Sequence, residues 1–228
     1  MRVALTREAG RNEELRTWVG EGVAVVEIPL TETVYVDPSE LERALGDFSQ
    51  GPWGSLVITS ARSARAAVLA RTHCASEVEL FSVGASTTAA LTRAGLETPR
   101  AQSSAGALAL ARQVWRSPVL VLGAKGMRGE LSDALTARGL VVDSIACYET
   151  RARELDGPAR SVLGSCDVVL IGAPSAWAVV RDVVSTTTWV VVPGATTAEV
   201  VRATHERVIE GWGPSLGVRL AALARPAD

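Results

Sequence analysis

Lysine is almost absent from this 228-residue chain: of 23 basic residues one is Lys125, and the rest are arginines. The cationic groups are therefore planar guanidinium forks, suited to carboxylate or phosphate. Against 25 acidic residues they leave a formal net charge of −2, so no basic excess points to nucleic acid. Histidine occurs twice (His73, His205) and cysteine three times (Cys74, Cys147, Cys166), with no Cys-x-x-Cys. So sparse a set predicts a reduced protein with no metal site. No apolar run reaches membrane-spanning length, and charge enters by Arg7. Neither a membrane span nor a secretory signal is expected, and the predicted location is cytoplasmic. Gly-x-Gly-x-x-Gly follows no strand, and Gly123–Arg128 lacks the Walker spacing. These absences exclude the dinucleotide fingerprint and the P-loop. Neither histidine neighbours a Ser or Cys motif, which argues against a nucleophilic triad.

What the chain does have is 47% hydrophobic and 21% charged residues, an ordinary globular balance over a length that suits one large domain or two modest ones. Short β-rich runs lie at Val3–Thr6, Val23–Ile28, Ser55–Ser60, Glu79–Gly84, Val119–Gly123, Val141–Tyr148, Asp167–Gly172 and Thr188–Gly194, and most are continuously apolar without polar alternation. That predicts parallel strands covered on both faces. Helical spacing lies between them, as in Leu41, Ala44, Leu45, in Ala64, Ala67, Val68, and in Leu131, Leu135. The expected fold is α/β, with eight or nine strands in two small parallel sheets flanked by helices.

An internal repeat supports two similar lobes. Shifted by 117, residues 5–33 lie on 122–150 without a gap, and Arg11, Gly22, Ile28, Glu32 and Thr33 meet Arg128, Gly139, Ile145, Glu149 and Thr150. A weaker pair sets Leu56–Val68 on Val169–Val180 and Gly84–Ala89 on Gly194–Ala198. If the two Glu-Thr segments are crossings, lobe one comprises residues 1–30 plus 152–228, lobe two is the insert 38–145, and residues 31–37 and 146–151 form a two-strand hinge. Such a hinge permits opening and closing around a ligand cleft.

Four predicted strands end in small polar residues before a helix: Thr59-Ser60-Ala61-Arg62, Gly84-Ala85-Ser86-Thr87, Gly172-Ala173-Pro174-Ser175 and Gly194-Ala195-Thr196-Thr197. At the carboxyl edge of a parallel sheet these turns offer hydroxyls and unpaired helix N–H groups to an anion; each could also be a plain helix cap. The six tryptophans are scattered and are expected to pack cores, with Trp177 and Trp189 as candidates to line the cleft. Tyr148, one of two tyrosines, falls in the second crossing. It is either a packing residue or a proton donor to a leaving group.

Taken together, Leu5-Thr6-Arg7, Pro29–Thr33, Thr59–Arg62, Val83–Thr87, Tyr148-Glu149-Thr150, Ala173-Pro174-Ser175 and Gly194–Ala198 resemble the uroporphyrinogen-III synthase family in order and spacing over essentially the whole chain. The resemblance implies a cofactor-independent lyase. Its substrate is hydroxymethylbilane, a linear tetrapyrrole with eight carboxylates, closed to uroporphyrinogen III with inversion of the last pyrrole and loss of water. The implied route runs through an azafulvene and a spiro intermediate. Because the bilane closes unaided to isomer I, the task is largely conformational. The resemblance makes Tyr148 the acid for the departing hydroxyl, a role open to a phenol, which keeps its proton at neutral pH. It makes Thr59, Ser60, Arg62, Ser86, Thr87, Ser175, Thr196 and Thr197 carboxylate contacts, with Arg7, Lys125 and Arg128 as further ones. It also implies a monomer in transient contact with hydroxymethylbilane synthase, with no nucleic-acid or membrane partner.

Two stretches depart from the family pattern. Trp189–Pro193 carries no lysine before its glycine turn, and Gly123-Ala124-Lys125 stands where an Arg-Gly pair is common. The residues also admit a non-catalytic tetrapyrrole-binding or regulatory relative, or a cleft protein for phosphorylated or sugar ligands.

Overall fold

The computed structural model describes residues 1–47, 52–97, 101–103, 107–114, 116–127 and 129–223. Contacts divide the chain into two compact units. Unit 1 is Met1–Thr33 with Arg151–Asp228, and unit 2 is Val34–Thr150. Each holds a sheet of mainly parallel strands with helices on both faces, the predicted class.

In unit 1 the strands are β1 (Arg2–Leu5), β2 (Ala24–Glu27), β9 (Val168–Leu170), β10 (Trp189–Val192) and β11 (Val208–Glu210), ordered β11-β10-β9-β1-β2 with every pair parallel. In unit 2 they are β3 (Thr31–Tyr35), β4 (Trp53–Ile58), β5 (Cys74–Val83), β6 (Ala101–Ser103), β7 (Val119–Ala124) and β8 (Val142–Ala152), ordered β3-β8-β7-β4-β5-β6. The repeat equates β7, β8, β4, β5 and β6 with β1, β2, β9, β10 and β11, and read in those equivalents the two sheets share one order. The registers differ by a residue. Leu5 faces Glu27, so the shift would set Leu122 against Ser144, but Leu122 faces Ile145. A one-residue step exchanges the two faces of a strand.

The continuous apolar runs form strands because both faces are covered. Leu56 and Ile58 point into one core of unit 2, against α2 (Pro38–Gly46), α3 (Ala64–Arg71) and α4 (Ala85–Arg93). Val57 points to the other, against α5 (Ala107–Ala111) and α6 (Glu130–Thr136). Unit 1 repeats the pattern. Ala4 and Val190 meet α7 (Gly157–Gly164), α8 (Pro174–Val180) and α9 (Ala195–Arg202), while Val3, Leu5 and Val191 meet α1 (Glu13–Val19) and α10 (Leu216–Leu223). Each Val, Leu or Ile among them contributes about 1.5–3 kcal/mol by leaving water. Caps start two of the helices. The Asp37 carboxylate accepts from Ser39 N–H (2.9 Å) at α2, and that of Asp156 accepts from Ala159 N–H (2.8 Å) at α7, each with proline in the first turn.

The expected eight or nine strands are eleven among the described residues. The additions β3, β6 and β11 all lie at sheet edges. β8 runs on to Ala152, through the predicted crossing. The unit boundaries fall inside β3 and β8, so these two strands carry the chain from one unit to the other.

Candidate active site

In unit 2 the parallel strands β4, β5, β7 and β8 end on one edge. There Thr59 follows β4 and donates its hydroxyl to the Leu122 carbonyl at 3.0 Å, while its N–H donates to the same oxygen at 3.1 Å. Ser60 caps the 3-10 turn Ala61–Ser63, its hydroxyl accepting from Arg62 N–H at 3.3 Å. This turn puts the Arg62 guanidinium 5.7 Å from the centroid of the Tyr148 ring, within cation–π range. Tyr35, on β3, places its ring 6.3 Å from Tyr148.

Tyr148 owes its position to an irregularity in β8. Gly123 pairs with Ala146 but Ala124 pairs with Tyr148, so Cys147 is an extra residue, a bulge that re-aims the side chain after it. Lys125 N–H closes the bulge on the Tyr148 carbonyl at 2.7 Å, and the Lys125 ammonium, 68% exposed, pairs with Glu149 at 3.6 Å. The close approach here requires glycine at 123, because a Cβ there would collide with Thr59 Oγ1 and Met127 Sδ. The Tyr148 ring is buried, and its hydroxyl takes part in no hydrogen bond among the described residues. At the end of β5, Gly84 turns at φ 81° into α4. Ser86 is exposed there, whereas Thr87 is buried.

The same edge of unit 1 carries related turns. The Thr6 hydroxyl donates to the Leu170 carbonyl, as Thr59 does to Leu122, each tying one central strand to its neighbour. The half-buried Arg7 follows, its Cγ 4.0 Å from a Cβ built on Gly172, beside Trp212. Ser175 lies in the first turn of α8 and is exposed. In the first turn of α9 Thr196 is exposed and Thr197 buried. Thr197 N–H donates to the Gly194 carbonyl at 3.2 Å, as Thr87 N–H does to Gly84.

The structure thus gathers Thr59, Ser60, Arg62, Lys125 and Tyr148 at one sheet edge of unit 2, with Ser86 and Thr87 at the end of β5 on that edge. Arg7, Ser175, Thr196 and Thr197 stand on the corresponding edge of unit 1. Arg128 lies outside the described residues. Trp177, a candidate cleft residue, is buried in a core, where its indole N–H donates to Thr204 at 3.1 Å. Trp189, the other, opens β10 at the amino edge, under Arg207. Sequence reasoning passed over Tyr35, although it is the only other tyrosine and falls in the first predicted crossing.

Burial pushes the Cys74 and Cys147 thiols up to about 11 and raises that of Cys166 as well. All three stay protonated at neutral pH and offer no thiolate nucleophile. Among the described residues no three of His, Cys, Asp and Glu cluster as a metal site requires, and no helix is long and apolar enough to cross a membrane.

A family model described as uroporphyrinogen-III synthase HemD matches residues 16–209. The chain belongs to the uroporphyrinogen-III synthase family. This bears out the resemblance read from the motifs and the cyclase reading built on it. Solved structures of the synthase share the fold. Uroporphyrinogen-III synthetase from Helicobacter pylori superposes with a TM-score of 0.62 at 18% identity, covering 99% of this chain and 100% of that one. A mutant uroporphyrinogen III synthase from the extremely thermophilic bacterium Thermus thermophilus gives 0.59 at 18% identity, covering 98% and 97%. Among curated protein sequences there is no significant match. In the synthase frame, the departure at Gly123-Ala124-Lys125 coincides with the turn that closes the bulge under Tyr148.

Proposed function

We propose that the chain closes hydroxymethylbilane to uroporphyrinogen III, acting as a hydro-lyase and as a cytoplasmic monomer. The observation that carries this reading is the meeting of Tyr148 with Arg62 and the Thr59-Ser60 turn at one sheet edge, in a chain of this family. The Tyr148 phenol donates its proton to the terminal hydroxyl, which leaves as water, and an azafulvene forms. The last pyrrole attacks through its substituted carbon, and the spiro intermediate fragments and recloses inverted. The proton lost from the free α-carbon at re-aromatisation returns to the phenolate. One C–O bond is exchanged for one C–C bond, with no change in oxidation state.

The chain's larger task is to hold the bilane in the conformation that inverts. Arg62, Lys125, Arg128 and Arg7 pair with carboxylates. The exposed hydroxyls of Ser86, Ser175 and Thr196 add hydrogen bonds, and the Thr59-Ser60 turn sets the approach of Arg62. The buried Thr87 and Thr197 shape the two glycine turns that present their neighbours. Hydroxymethylbilane synthase, as the source of an unstable substrate, is a transient partner.

The test is a coupled assay. Hydroxymethylbilane is generated in situ by its synthase, this protein is added, and the oxidised products are separated into isomers I and III. Isomer III in excess is expected. Isomer I alone, from folded protein, would refute the proposal and leave a non-catalytic binder.

A further inference from the structure

Unit 2 contains a hollow of about 450 Å³ beside Tyr148, lined among others by Tyr35, Leu41, Arg62, Arg65, Val68 and Leu69. Its walls are apolar side chains of α2, α3 and β3, and two of them stay open to solvent: Tyr35 is 49% and Val68 42% exposed. The helical spacing of Ala64, Ala67 and Val68 predicts one packed face. Ala64 and Ala67 do pack, but Val68 turns into this hollow instead. Two guanidiniums, Arg62 and Arg65, stand among these apolar groups. Arg65 is exposed and makes no ion pair among the described residues. An apolar wall does not suit a phosphate, and two cations among apolar groups do not suit a neutral sugar or hydrocarbon. The occupant that satisfies both is an aromatic ring bearing acidic arms. The volume lies within the range of small-molecule pockets, about 300–1,000 Å³, and holds one substituted ring rather than a whole tetrapyrrole.

We infer that this hollow is an aryl-carboxylate subsite, in which Tyr35, Val68 and Leu69 pack one ring and Arg65 pairs with its carboxylate. The inference rests on the proposed function for the identity of the ligand, a carboxylate-bearing pyrrole of the bilane. Tyr35 and Arg62 both reach Tyr148, so a ring seated here lies beside the proposed acid.

Two measurements test it on the whole protein, with melting curves to confirm that each variant is folded. The first uses 8-anilino-1-naphthalenesulfonate, a fluorescent aryl anion, as probe. Wild type should bind it saturably at one site. Arg65→Ala should weaken binding about five- to tenfold, and Val68→Trp, which fills the hollow, should abolish it. The second is the KM for hydroxymethylbilane, which should rise at least about fivefold in both variants with kcat nearly kept, the signature of lost uniform binding. Probe binding that is absent, or equal in all three proteins, overturns the subsite. Probe binding that responds while KM does not overturns its assignment to the substrate. If wild type makes only isomer I, the proposed function fails and the bilane with it as ligand, while the probe still decides whether the hollow takes an aryl anion.

Discussion

Replacing Tyr148 by phenylalanine separates chemistry from packing. The substitution removes one oxygen from a ring that is 5% exposed. It keeps the ring's contacts with Tyr35 and Arg62. No hydrogen bond of the hydroxyl among the described residues is lost, so the roughly 1 kcal/mol that such a bond contributes is not at stake. Stability should therefore stay within about 0.5 kcal/mol of wild type. Turnover should not, because a positioned general acid is worth about 10²–10⁴-fold. Tyr148→Ala is a poorer probe: emptying a buried aromatic site costs about 3–5 kcal/mol and also removes the ring facing Arg62. The assay is the rate of isomer III formation with bilane supplied in situ. Unaided closure continues, so a slow variant shows isomer I in place of III. Conformational control survives the substitution, and residual isomer III is expected. A rate within about threefold of wild type, in protein of unchanged melting temperature, would refute the acid role.

Gly123→Ala should destabilise by about 2–4 kcal/mol in urea unfolding, by overpacking against Met127 and Thr59 and by displacing the Thr59–Leu122 hydrogen bond. Thr196→Ala and Thr197→Ala should split: loss of the exposed Thr196 hydroxyl raises the KM for the bilane about three- to tenfold, whereas Thr197→Ala, which removes a buried methyl group, lowers stability by about 1 kcal/mol with KM kept. The reverse pattern, read from kinetics and melting together, would invert their roles. Cys147 should resist iodoacetamide at pH 8, since only the thiolate reacts. Its folded-state value, about 11 against an ordinary 9.0, means that the folded chain holds the proton longer. The associated stability is intact below pH 9 and is lost as pH rises through 11, by up to about 2–3 kcal/mol. Alkaline unfolding that is no easier in wild type than in Cys147→Ala would contradict this.

The sequence by itself determined the α/β class, the strands that are buried on both faces, and the duplication. Val3–Leu5, Val119–Leu122 and Val190–Val192 are legible because a strand covered on both sides must be apolar at every position. The family too was legible, from turns that sit where parallel strands end. The tertiary structure alone decided the edge strands. β3, β6 and β11 each have a neighbour on one side only, so no continuous apolar run is demanded of them, and they read as loops. It also decided the aim of Tyr148. A bulge is an extra residue relative to the partner strand, and no local pattern in Ala146-Cys147-Tyr148 announces that Gly123 and Ala124 are the residues it is counted against. The hollow beside it needed the fold for the same reason. Tyr35, Leu41, Arg65 and Val68 come from one strand and two helices, and their mixture of apolar wall and cation exists only once those elements pack.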